Sequence, residues 1–201
     1  FVAKRVEPKL PLWLLLIAAQ LVDLIWGVLV LAGVERVSLD YSLPTNPMVA
    51  EYMPYTHSLL GSAVWAALAG LVVWKVWKSQ RAGVVVALVV LSHWFLDLAV
   101  HRPDLTLAGS DPKLGLQLWN YPALALTFEL AVLGLAYLLL RKTPSARSAG
   151  ILLIVLVAVQ LYATFAPPPP NVAQMAASLL VLWLAIPGLG AWLERKKTVP
   201  A

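Results

Sequence analysis

Six apolar stretches fill most of the chain, each near the ~20 residues that a helix needs to cross hydrocarbon. They are Pro11–Gly33, Thr56–Trp74, Ala82–Val100, Tyr121–Leu140, Ala149–Ala166 and Val172–Leu193. Hydrocarbon offers no partner to a free backbone amide, so stretches of this kind that cross it must be helices. Between them lie short polar turns, Lys78-Ser-Gln-Arg81 and Arg141-Lys-Thr-Pro-Ser145, and a run of prolines, Pro167–Pro170, that no helix continues through. Two longer connections, Val34–Tyr55 and His101–Asn120, hold most of the remaining Pro, Asp and Asn. With 61% hydrophobic and 12% charged residues, the 201-residue chain fits neither a soluble globule nor a disordered segment. The sequence therefore predicts an all-α polytopic membrane bundle of six transmembrane helices, forming one domain over residues 1–201.

The charges orient it. Of the 15 Lys and Arg, 12 fall in the two terminal segments and the two short turns: Lys4, Arg5, Lys9, Lys75, Lys78, Arg81, Arg141, Lys142, Arg147, Arg195, Lys196 and Lys197. The longer connections hold the other three, Arg36, Arg102 and Lys113. The positive-inside rule then puts both termini in the cytoplasm and turns the long loops outward. On this reading the net charge of +5 is a topology signal, and no nucleic-acid partner is expected. Trp13, Trp74, Trp77, Trp119 and Trp192 sit at expected span ends, as an aromatic belt requires. The first stretch is too long for a signal-peptide core and lacks an Ala-x-Ala site, so it reads as a span.

All three histidines map to the outward half. His57 opens the second span, and His93 and His101 lie toward the outward end of the third. On a helix, His93, Asp97 and His101 stand at about 0°, 40° and 80°, one stripe along one face. Neighbours four residues apart can share an ion, whereas all three would stretch over two turns. The expected metal set is His57, His93, Asp97 and His101, with His57 arriving from the adjacent helix. Nitrogen and oxygen donors without thiolate suit Zn²⁺, with Mn²⁺ or Fe²⁺ as alternatives. Absence of cysteine removes disulfides, zinc–thiolate sites and iron–sulfur clusters from consideration.

Besides Asp97, two acids fall within spans, Asp23 in the first and Glu129 in the fourth. Ionisable residues in a bilayer are costly and mark functional sites. Glu129, at the depth of His93, is the expected general base, with Asp104 as a second proton carrier; Asp23 supports the site or pairs within its helix. Arg102 is placed to clamp an anionic group of a substrate. Glu35, Arg36, Asp40, Asn46, Glu51, Lys113 and Asn120 read as solvated or capping loop residues. Ser58 and Ser92 adjoin histidines, but consecutive helical residues point about 100° apart and form no dyad. The last two spans carry no internal charge and read as packing.

Pro54-Tyr-Thr-His-Ser-Leu-Leu60, then Ser92-His-Trp-Phe-Leu-Asp97, then His101-Arg-Pro-Asp104 resemble bacterial inner-membrane proteins labelled membrane-bound metal-dependent hydrolases. Gly33-Val-Glu-Arg-Val37 and Gly115-Leu-Gln-Leu-Trp-Asn-Tyr-Pro122 look like a subgroup of that set, and the resemblance spans roughly residues 10–140. In that family the first histidine motif often carries a second histidine, which is absent before Thr56-His57 here. The resemblance implies a metal site and hydrolysis of an ester, phosphoester or amide in a lipid-like substrate at the outer face. Two other readings remain open. One is a proton or metal-ion transporter using Asp23, Glu129 and the histidine stripe; the other is a haem-binding or structural subunit in which His57 faces His93. Topology is directly testable: a reporter fused after Ala201 is expected to read cytoplasmic, and one inserted at Asn46 external. The reverse pattern would turn the histidines toward the cytoplasm.

Overall fold

The computed structural model describes residues 1–109 and 111–195; Lys196, Lys197 and Ala201 lie outside the described residues. A short helix α1 (Val2–Val6) precedes α2 (Leu12–Ala19) and α3 (Leu21–Leu31), followed by strands β1 (Arg36–Leu39) and β2 (Met48–Tyr52). Next come α4 (Leu59–Trp77) and α5 (Gln80–Val100), then the two-residue strands β3 (Leu105–Thr106) and β4 (Lys113–Leu114). A 3-10 turn (Leu118–Asn120) leads into α6 (Pro122–Leu140), α7 (Ala146–Phe165) and α8 (Val172–Arg195). Helices α4 to α8 are each long and apolar enough to cross a bilayer, and α2 with α3 counts as a sixth, bent span. The protein is an all-α membrane bundle. Large apolar side chains such as Ile154, Val181 and Leu135 stand exposed along the helices, a surface suited to acyl chains rather than water.

The first span is not the continuous helix expected over Pro11–Gly33. It bends by 51° at Gln20, with neither Pro nor Gly at the break. Helix ladders also break where a foreign side chain takes a backbone carbonyl. Here the carbonyl of Ala19 accepts from Nδ1 of His93, 2.9 Å away on α5. The bend falls three residues before Asp23, whose carboxylate faces inward to His57 and His93. Both half-helices lie on α8, where Gly27 meets Leu180 and Gly190 meets Leu16.

The two long connections are more ordered than loops. β1 and β2 pair antiparallel, with Val37 opposite Ala50 and Leu39 opposite Met48. β3 and β4 form a second, smaller antiparallel pair. Ser58 bridges to Thr106, tying the start of α4 to this second hairpin. Both hairpins lie at the end of the bundle away from the α4–α5 turn, over the charged residues of the interior.

Two apolar clusters flank those residues. One joins Leu15, Ala18 and Val22 to Ala66 and Val73 of α4 and to Val86 and Val90 of α5. The other joins Trp26 and Val30 to Met48, Ala50, Met53 and α8. Asp23 lies in sequence between Val22 of the first and Trp26 of the second. Helices α4 and α5 meet tightly at two glycines: a Cβ on Gly83 would stand 2.6 Å from the carbonyl oxygen of Gly70, and one on Gly70 2.8 Å from that of Gly83. Small residues facing each other let membrane helices meet backbone to backbone, where dispersion contacts hold them. Gly83→Val is therefore expected to prise the pair apart and to cost about 1–3 kcal/mol, read as a lower melting temperature in detergent. An unchanged melting temperature would mean that this contact is not rigid.

Candidate metal centre

Asp23, His57, His93 and Asp97 meet inside the bundle. His57 comes from the turn that precedes α4. Ser58 caps that helix, its Oγ accepting from the amide of Gly61 while donating to the carbonyl of Pro54 at 2.6 Å. A side chain at Gly61 would collide with the carbonyl of Tyr55, so the turn is packed flat on the first turn of α4. Trp94 Nε1 donates to the His57 carbonyl, Ser62 Oγ to that of Thr56, and the Trp26 ring stands edge-on to the imidazole. His57 is 4% exposed, Thr56 0% and Glu35 1%. The backbone on both sides of this histidine is pinned.

Three ligand atoms then converge, with Asp97 Oδ2 beside the two histidine nitrogens. His57 Nε2 lies 3.3 Å from Asp23 Oδ1 and 3.8 Å from Asp97 Oδ2. His93 Nε2 lies 3.2 Å from Asp23 Oδ1 and 3.1 Å from Asp97 Oδ2. Atoms bonded at ~2.1 Å to one tetrahedral ion are ~3.4 Å apart, and these spacings bracket that value. Asp23, His57 and His93 each offer one ligand atom, all within 4.8 Å of one another, a set compatible with a divalent metal. Buried carboxylate oxygens nearly always find a donor, yet Asp97 Oδ2 accepts no hydrogen bond.

Hydrogen bonds on the far sides of the rings fix which nitrogen faces inward. His93 Nδ1 meets the Ala19 carbonyl, which can only accept, so Nδ1 carries the proton. His57 Nδ1 meets Thr56 Oγ1 at 2.8 Å, and that hydroxyl lies 2.5 Å from Glu35 Oε2. With its one proton given to the carboxylate, the hydroxyl accepts from Nδ1–H. In the neutral form of each ring, Nε2 then presents a lone pair to the carboxylates. Such outer partners are what orient metal-ligating histidines. Two lone pairs and two carboxylates in one apolar space repel unless a cation or protons lie between them. A porphyrin between His57 and His93 would need the space that Asp23 and Asp97 occupy.

The other expected residues are engaged differently. His101, 3% exposed, pairs through Nδ1 with Asp104 Oδ1 at 2.9 Å and lies against Trp119, ring centroids 4.3 Å apart. Its ring centre is 6.0 Å from that of His57, next to the four converging groups. Glu129 does not meet His93. It accepts from Trp119 Nε1 at 3.5 Å and from Gln160 Nε2 of α7, because α6 packs chiefly on α7. That contact also corrects the reading of the fifth span as packing alone. Asp23 was expected as a supporting acid and stands among the converging groups; Glu35 was expected as a solvated loop residue and is buried. The sequence does hold a signal for Asp23, a carboxylate mid-span, but none for its direction.

Arg102 ties the loops together. Its Nε donates to Asn120 Oδ1 at 2.8 Å and its Nη1 to the Asn46 carbonyl at 3.0 Å, while Nη2 is buried without a partner. Burial draws the guanidinium pKa below its ordinary value, and the carboxylates of Asp104 and Asp40 work against that. Scans against protein-family models, curated proteins and solved structures each returned no match. Arg102→Lys keeps the charge but loses the planar fork, so one of the two loop contacts must go. The expected cost is about 1–3 kcal/mol, measured as a lower unfolding midpoint in detergent. A neutral outcome would mean that the loops hold without the fork.

Proposed function

We propose that the chain is a membrane-embedded metal-dependent hydrolase that cleaves an ester, phosphoester or amide in a lipid-like substrate at the outer face of a bacterial inner membrane. The observation that carries this is the convergence of His57 Nε2, His93 Nε2, Asp23 Oδ1 and Asp97 Oδ2, each histidine proton-tied on its far side. The two histidine nitrogens and the Asp23 oxygen form a three-donor set that favours Zn²⁺ over Mn²⁺ or Fe²⁺, which take more ligands, and leaves a fourth position for water beside Asp97. The bound ion would supply a Lewis acid and lower the pKa of a bound water to about 7.

The chain's own residues do the rest. His101, beside the site and held by Asp104, takes the proton-carrier role, since Glu129 is engaged by Trp119 and Gln160. A carboxylate on the far nitrogen keeps an imidazole oriented and stabilises it once protonated. Arg102 Nη2 has a hydrogen left for an anionic group of the substrate. The charge split and the resemblance in the histidine motifs support the outer face and the hydrolase class.

Elemental analysis of detergent-purified protein is expected to find about one zinc per chain, and His93→Ala or Asp23→Ala to lose it. Asp104→Asn is expected to retain the metal and to lower kcat on a panel of short-chain esters and phosphodiesters by about 10²–10⁴-fold. Metal-free protein, or hydrolysis untouched by His93→Ala, would overturn the reading. The bend at Gln20 favours a second one, transport of the cation itself, since broken spans line ion sites in transporters. Metal-dependent flux into vesicles without hydrolysis would select it.

A further inference from the structure

Glu35 belongs to no span and follows α3 by a few residues, yet it is among the most buried side chains of the molecule. Its Oε1 accepts from the backbone amides of Tyr55 at 2.9 Å and Thr56 at 3.0 Å. Its Oε2 accepts from the Thr56 hydroxyl, the same hydroxyl that meets His57 Nδ1. The two site histidines are thus held by unlike partners. Behind His93 stands a carbonyl, which can never donate. Behind His57 stands a hydroxyl, which donates or accepts according to what lies behind it in turn. If that hydroxyl donated to Nδ1, His57 would turn an N–H toward the site and could not bind an ion there.

We propose that Glu35, acting through Thr56, is the positioning residue that decides which nitrogen of His57 faces the candidate metal centre. A carboxylate is an obligate acceptor, so it draws the hydroxyl proton away from the ring and leaves the oxygen to accept from Nδ1–H. Nε2 is thereby left bare toward Asp23 and Asp97. The two backbone amides make the relay one-directional: they hold Oε1, and only Oε2 is left for Thr56.

Glu35→Gln tests this without changing shape. The Tyr55 and Thr56 amides demand an oxygen, so the glutamine must turn its NH₂ toward Thr56. The hydroxyl then accepts from the amide and donates to His57 Nδ1, reversing the relay. Nitrogen-15 NMR of the purified, metal-free protein, with only three histidines to assign, reads this directly. His57 Nδ1 is expected to be protonated in the wild type and bare in Glu35→Gln. The proposal rests on the metal reading for its second readout alone: zinc affinity by chelator competition should fall about 10–100-fold in Glu35→Gln. Thr56→Val should weaken it as well, and Thr56→Ser, which keeps the hydroxyl, should restore it. The serine rescue separates positioning from packing, and this pair decides the matter if Glu35→Gln fails to fold. A protonated Nδ1 in folded Glu35→Gln, or wild-type zinc affinity in Thr56→Val, would overturn the proposal. Should the wild type bind no zinc at all, the metal reading falls, while the Nδ1 measurement still decides the role of Glu35.

Discussion

Charged groups in an apolar bundle must answer one another, and the interior of this protein is arranged around that demand. Two carboxylates and two imidazoles stand within 3.1–3.8 Å across the pairs of Asp23 and Asp97 with His57 and His93. Isolated, an ionised carboxylate there would cost several kcal/mol or more. The bend of the first span, the cap at Ser58, the Trp26 and Trp94 contacts and the buried Glu35 all bear on that one cluster. Remove the convergence, and none of these polar devices has a reason to be buried.

Around the cluster the polar groups are arranged in successive rings. Backbone carbonyl and hydroxyl acceptors stand behind the histidines, and a carboxylate stands behind the hydroxyl. Beside them, the His101–Asp104 pair and Trp119 lead toward Glu129 and Gln160 on the α6–α7 pair. Arg102 and the two hairpins close the end of the bundle above. The outer rings tie loops that would otherwise be free to the helices that carry the cluster, and rigidity of that kind suits any site whose groups must hold fixed positions.

The spans are legible in the sequence because bilayer thickness leaves helix length little freedom, and α4 to α8 fall within a few residues of the apolar stretches. His93 and Asp97 are legible as a pair through helical spacing alone. The bend at Gln20 is not, because its cause is a hydrogen bond to a residue 74 positions away rather than a local Pro or Gly. For the same reason the sequence leaves Asp23 between supporting the site and pairing within its own helix, and the bend decides it. Glu35 defeats a sequence reading more completely. A loop glutamate beside an arginine looks solvated, and only the folding of Tyr55 and Thr56 onto it reveals a buried acceptor. Glu129 fails in the opposite sense: equal depth with His93 says nothing about which neighbour α6 chooses.

The glycine contact between α4 and α5 bears on how the molecule comes together. Those two helices share a short turn and the most extensive interface of the bundle; α5 carries His93 and Asp97, and the turn leading into α4 carries His57. A helical hairpin of this kind pairs through its own short turn and small-residue contact, without needing the other spans. Three of the four groups are therefore brought together by this one hairpin, with polarity unmatched until the first span packs on it. Packed against them, the first span completes the set with Asp23 and gives up the Ala19 carbonyl to His93. Its break is, in this sense, a latch: the span that closes the bundle is bent by the group it comes to complete.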